Sequence, residues 1–145
     1  MADNKEIVRR IEEAWDRDDH AELGRLVAAD IVNHDAPPGF PPGLEGATFG
    51  HRMFKASFPD SRHEITQLFG EGELVTVANT THATHTGEPF LGVPTTGKQV
   101  RVEAISIYRI KDGKAVEHWG LNDGRSLMMQ LGALPTPAHR ETSPA

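Results

Sequence analysis

Val100-Arg101-Val102-Glu103-Ala104-Ile105-Ser106-Ile107-Tyr108-Arg109-Ile110, then Lys111-Asp112-Gly113-Lys114, then Ala115-Val116-Glu117-His118-Trp119-Gly120, is the stretch on which the fold turns. Two runs rich in β-branched and aromatic residues flank an Asp-Gly pair, which supplies the positive φ that a tight hairpin requires. The reading is a strand over 100–110, a turn over 111–114 and a returning strand over 115–120. Upstream lie two more strand candidates, His63–Phe69 and Leu74–His85, separated by Gly70-Glu71-Gly72-Glu73. A Gly/Pro-rich connection over 86–97 links them to the hairpin.

Ahead of the strands the pattern is helical. Ile7, Ile11, Ala14 and Trp15 recur at spacings of three and four within a helical signal over 4–29. Asp18-Asp19 interrupts it, and Asp19 suits the cap of a second short helix through Leu23, Leu26 and Val27. Residues 31–34 form a short strand candidate. Residues 35–46 hold four prolines and three glycines, which predicts an irregular loop over a cavity mouth. Helical spacing returns over 47–58 and stops at Pro59-Asp60. After the last strand, 123–131 predicts a helical turn ending at Gly132. Helices first and antiparallel strands afterwards predict an α+β fold, with helices packed on one face of a curved sheet and a pocket between them.

Composition narrows the function classes. The 145 residues, 37% apolar and 25% charged, suit one soluble globular domain over 1–134, with a disordered tail over 135–145. No cysteine is present, so disulfides, thiol chemistry and cysteine-ligated metals are excluded. A net charge of −6 without a basic cluster argues against a nucleic-acid partner. The apolar runs are too short to cross a membrane, and residues 1–10 lack a secretion signal, so a cytoplasmic location is expected. Eight histidines occur, yet none forms a His-x-x-x-His pair or has an obvious carboxylate partner in sequence, so no metal site is expected.

Several segments in series resemble the SnoaL-like polyketide cyclases, within the larger nuclear-transport-factor-2-like and ketosteroid-isomerase-like superfamily. They are Asn33-His34-Asp35, Phe58-Pro59-Asp60, Thr84-His85-Thr86-Gly87-Glu88, Pro94-Thr95-Thr96-Gly97, Tyr108 to Lys114, and Val116-Glu117-His118-Trp119 followed by Asp123 and Gln130-Leu131-Gly132. They match in order and spacing over roughly residues 5–134. The resemblance implies a cone-shaped barrel of curved antiparallel sheet with an enclosed pocket, no cofactor, an apolar small-molecule ligand and a homodimer or higher homo-oligomer. In the characterised cyclases an aspartate on the last strand is the acid/base for an intramolecular aldol closure. Gly120 stands at that position here, so the cyclase chemistry does not carry over intact.

The candidate site follows from the strands and the resemblance together. Val116, His118 and Gly120 alternate to one face of the last strand, with Glu117 and Trp119 on the other. His118, whose imidazole suits proton transfer near neutral pH, is the first catalytic candidate; the alternative is a buried histidine satisfied by backbone. Asp123, the second, can orient His118, act as a base or cap the terminal helix. Asn33 and His34 are adjacent on one strand, so only one faces the pocket: Asn33 by resemblance, with His34 ordering the loop. Trp15 matches an aromatic that lines the family's pocket. His51 is either a ligand contact or solvent-facing. His82 is a further candidate to reach the cavity, whereas His85 serves the turn after its strand. Ser106 stands where the cyclases carry a pocket-facing histidine. Glu103, on the opposite face, is either a buried acid or a surface charge. Together these predict either a cofactor-free enzyme doing acid/base chemistry on a polyketide-like molecule (cyclisation, isomerisation, dehydration or epoxide opening) or a binding module using the same pocket. A purely oligomeric scaffold is the third reading.

Overall fold

In the computed structural model, which describes residues 3–137, the elements run α1 (Asn4–Asp16), α2 (His20–Leu26), β1 (Val27–Asn33), α3 (Gly43–Ser57), β2 (Arg62–Glu71), β3 (Leu74–Thr84), β4 (Gln99–Lys111), β5 (Lys114–Asn122) and α4 (Gly124–Gln130). The five strands form one sheet in the order β1-β5-β4-β3-β2. The α+β architecture with helices over one face of a curved sheet is therefore the one expected. Residues 138–145 of the expected tail lie outside the described residues, and 135–137 have no regular structure.

The decisive hairpin forms as read: Asp112 and Gly113 have φ of 51° and 77°, and β4 pairs β5 from Lys111↔Lys114 onward. The helical signal over 4–29 divides at Asp18, whose φ is 53°, and Asp19 caps α2 by accepting from the Glu22 amide at 3.0 Å, both as expected. Two boundaries differ from expectation. Val27 already belongs to β1, because its side chain is needed in the core beneath α1. Helix α3 starts at Gly43, inside the segment expected to be irregular. All four prolines precede it, where they cost the helix no hydrogen bond. Gly43 is required there: its φ is 73°, and a Cβ would sit 2.2 Å from the Ala29 carbonyl oxygen.

The sheet is not wholly antiparallel. β1 runs parallel to β5, with Val32 opposite Glu117 and Asn33 opposite His118. Register breaks in β2, between Ile65 and Gln67, and in the β4/β5 pair, between Arg109 and Ile110, add the local bends of bulged strands.

Two apolar clusters hold the layers together. Ile7, Val8, Ile11 and Ala14 of α1 pack with Leu23, Leu26, Val27, Val75, Val77 and Ile110. Phe58, Leu127 and Leu131 pack on Ala83, Val100 and Val102. Between the clusters the inward residues of the sheet turn polar. Rows run Val77–Ser106–Gly120 and Asn79–Ala104–Asn122 across β3, β4 and β5. A pocket lies over Asn79, Ala104, Ser106 and Asn122, beyond the edge of the first cluster at Val77.

Candidate active site

The larger part of the pocket, about 500 Å³, is lined mainly by apolar side chains of α1, β1, α3 and the 36–40 loop. Trp15, Asn33, His51 and His118 all line it. Trp15 and His51 face each other with ring centroids 4.8 Å apart. The Asn33 amide donates to the Gly43 carbonyl at 3.1 Å, fixing the start of α3 against β1. His51 bonds Asp18 at 2.9 Å, and burial holds its imidazole below the ordinary histidine range despite that carboxylate.

At the inner end sits an ion-pair-capable dyad. His118 Nδ1 lies 2.8 Å from Asp35 Oδ1, and its ring tilts against Tyr108 with centroids 4.7 Å apart. The parallel register explains this meeting. Asn33 is level with His118, the His34 amide donates to the His118 carbonyl at 2.9 Å, and the turn that follows brings the Asp35 carboxylate beside Gly120. A Cβ built on Gly120 would lie 2.8 Å from His118 Cε1, 3.1 Å from Asp35 Oδ2 and 3.3 Å from Ser106 Oγ. The missing side chain is thus the reason three polar groups converge there. With Nδ1–H given to a carboxylate, His118 Nε2 is the nitrogen left to exchange a proton, and Asp35 fixes the tautomer.

Other candidates fall elsewhere. Asp123 is exposed and caps α4, accepting from the Ser126 amide at 3.0 Å; it is absent from the lining of the pocket that His118 faces. His34 turns to the outer face, stacks on Trp119 and bonds Glu117 at 2.6 Å, because the period of two that points Asn33 inward sends its neighbour out. His82 also faces outward, bonding Glu64 at 2.9 Å across β2 and β3, since Asn79, Thr81 and Ala83 take the inward positions. His85 is fully buried and orders the turn after β3, bonded to Thr96 and to the Glu88 carbonyl. Glu103 is a surface charge. Ser106 lines the inner compartment of the pocket.

The structure also joins residues that sequence spacing keeps apart. Five histidines each have their own carboxylate: His34 with Glu117, His51 with Asp18, His63 with Asp16, His82 with Glu64 and His118 with Asp35. Among the described residues no three ligating side chains gather. Glu12, only 6% exposed, accepts from the Tyr108 hydroxyl at 3.2 Å and from the Asn79 amide at 3.0 Å. Burial pushes the Glu12 carboxyl above the usual range, and burial beside Glu12 lifts the Tyr108 phenol far above its own. A signal for Glu12 did exist: it lies four residues after Val8, on the buried stripe of α1. Asp35 stood in the Asn33-His34-Asp35 segment, but nothing local tells that a loop aspartate reaches the last strand.

The comparisons with known proteins agree with the fold. The family model of the SnoaL-like polyketide cyclases matches residues 5–131. A curated relative, aklanonic acid methyl ester cyclase DnrD of Streptomyces peucetius, is 27% identical over 141 residues, covering 94% of this chain and 97% of its own. Among solved structures, wild-type IdmH of Streptomyces antibioticus, described as a putative polyketide cyclase, superposes with a TM-score of 0.81 at 31% identity, over 90% of this chain and 99% of that one. AclR of Streptomyces galilaeus, described as a putative hydroxylase, superposes with a TM-score of 0.80 at 28% identity, over 92% and 87% of the two chains. The chain belongs to the SnoaL-like polyketide cyclase family.

Proposed function

We propose that this protein catalyses proton-transfer ring closure of a polyketide-like substrate without a cofactor, with His118 and Asp35 as its acid/base pair. The observation that carries the reading is the convergence of Asp35 Oδ2, His118 and Ser106 on the space that a side chain at Gly120 would fill. Asp35 offers, from the turn after β1, the carboxylate that the family's pattern places on the last strand. In the proposed step His118 Nε2 removes a proton from a carbon beside a carbonyl. The C–H electron pair forms an enolate, and the enolate carbon attacks a second carbonyl of the same molecule. The new C–C bond leaves an alkoxide, which takes the proton back from the imidazolium. Asp35 steadies that imidazolium, and the apolar walls favour charge stabilisation by keeping water away. The cyclase relatives support ring closure over the other acid/base reactions of the fold.

The test is turnover of linear tricarbonyl and polycyclic methyl ester substrates, read as ring-closed product by mass spectrometry. Asp35→Asn and His118→Ala are each expected to lose about 100-fold or more. Gly120→Ala is expected to lose activity too, because its methyl would press on the dyad. Unchanged turnover in His118→Ala removes the dyad from the mechanism. Ligand capture without product, seen as thermal stabilisation alone, would favour the binding-module reading. We also propose a homodimer joined through the outer face of the sheet, where Ile105 and Leu121 are paired across β4 and β5 and exposed.

A further inference from the structure

Behind the dyad the pocket continues into an inner compartment of about 340 Å³, which shares Trp15, Asp35, His51 and Tyr108 with the apolar part. Its character is different: Glu12, Asn79, Thr81 and Ser106 contribute to its wall. Asn79 is the informative member. It is 6% exposed, its amide nitrogen is committed to Glu12 Oε2, and its Oδ1 is buried with no hydrogen-bond partner. Buried amide oxygens are almost always paired, so an orphan on a residue of a cavity wall marks where a donor belongs.

We propose that this compartment is a polar subsite for a hydroxyl-bearing ring of the ligand, the hydroxyl donating to Asn79 Oδ1. The inference builds on the reading of the whole cavity as the seat of a polyketide-like molecule and adds which chemistry its inner end selects. A hydroxyl fits better than a carboxylate, which would meet Asp35 and Glu12. The Tyr108 hydroxyl is already committed to Glu12 Oε1 and the Asn79 amide nitrogen to Glu12 Oε2, so the open group of the subsite is an acceptor, Asn79 Oδ1. A hydroxyl donor complements it; a methyl or an ether oxygen does not. With the inner ring anchored there, the rest of the molecule lies past His118 and Asp35 toward the apolar mouth.

The experiment compares two probes of nearly equal shape, 2-naphthol and 2-methylnaphthalene, titrated into the full-length protein with binding read by fluorescence or calorimetry. Wild type is expected to bind 2-naphthol at least tenfold more tightly. Asn79→Leu, checked for native circular dichroism, is expected to erase that preference while keeping affinity for 2-methylnaphthalene. Equal affinity of wild type for the two probes overturns the subsite and leaves the compartment to ordered water only, with the apolar-pocket reading intact. Failure of both probes to bind overturns the subsite and the pocket reading together. The wild-type comparison decides the matter even if Asn79→Leu does not fold.

Discussion

At the scale of single residues, the molecule separates histidines that sequence alone would treat alike. His118 meets Asp35 inside the pocket, whereas His34 and His82 meet their carboxylates on the outer face. His63 belongs to neither set. It bonds Asp16 of α1 through both its ring and its backbone amide, half-buried near Glu12. Burial alone would pull its imidazole down, but the Asp16 hydrogen bond and the nearby acidic groups outweigh it, and the group lies above the ordinary histidine range. Asp16 is held low for the converse reason: burial raises it, and its bonds to His63 more than reverse that. A folded-state value raised above the unfolded one stabilises fully below about pH 6.5, and the contribution fades as pH rises through the folded value. The Asp16 contribution is present above about pH 4 and lost as pH falls through its lowered value. Thermal melts of wild type and His63→Gln should therefore differ most near pH 5 and converge toward pH 9, roughly the span over which a histidine loses its charge. A difference that stays constant across that span would mean that folding does not raise the His63 imidazole above its unfolded value.

At the scale of elements, Asp123 stands at the N-cap of α4. Its carboxylate accepts from the Ser126 amide at the start of α4, and α4 carries Leu127 onto the cluster around Phe58 and Val100. Gln130 then ties the helix to β4 by bonding both the amide and the carbonyl of Arg101 at 2.8 Å. Asp123→Ala is expected to cost about 1 kcal/mol, the usual worth of an N-cap, in chemical denaturation. Asp123→Ser, which still caps, should recover most of that loss and keep full turnover. Loss of turnover in the serine variant would return Asp123 to the proton relay.

For the whole molecule, the two faces of the sheet differ: the pocket lies over the inner one, and the outer one carries exposed apolar side chains. The outer face exposes Ile105 at 57% and Leu121 at 83%, directly opposite one another on β4 and β5, beside Trp119. Exposed apolar residues in register on adjacent strands are the kind of patch that a second copy covers. Light scattering after size exclusion is expected to give twice the 15.9 kDa chain mass, and Ile105→Asp to give the single-chain mass. A monomeric wild type would refute the dimer and leave the pocket argument untouched.

Much of this architecture is local, and what is local can be read. Asp112-Gly113 forces the β4/β5 hairpin, Asp19 caps α2, and alternation along β5 puts His118 and Gly120 on one face and Glu117 and Trp119 on the other. The absence of a side chain at 120 is likewise plain from the chain. What fills that absence is not. Asp35 reaches it because β1 and β5 pair in parallel with Asn33 beside His118, a contact between segments 85 positions apart that no turn or periodicity encodes. Glu12, Tyr108 and Asn79 meet for the same reason, since α1, β4 and β3 are brought together only by the packing of the core. Short-range sterics and periodicity thus determined the strands, the turn and the vacant position at Gly120, while long-range strand pairing alone decided which carboxylate stands in it.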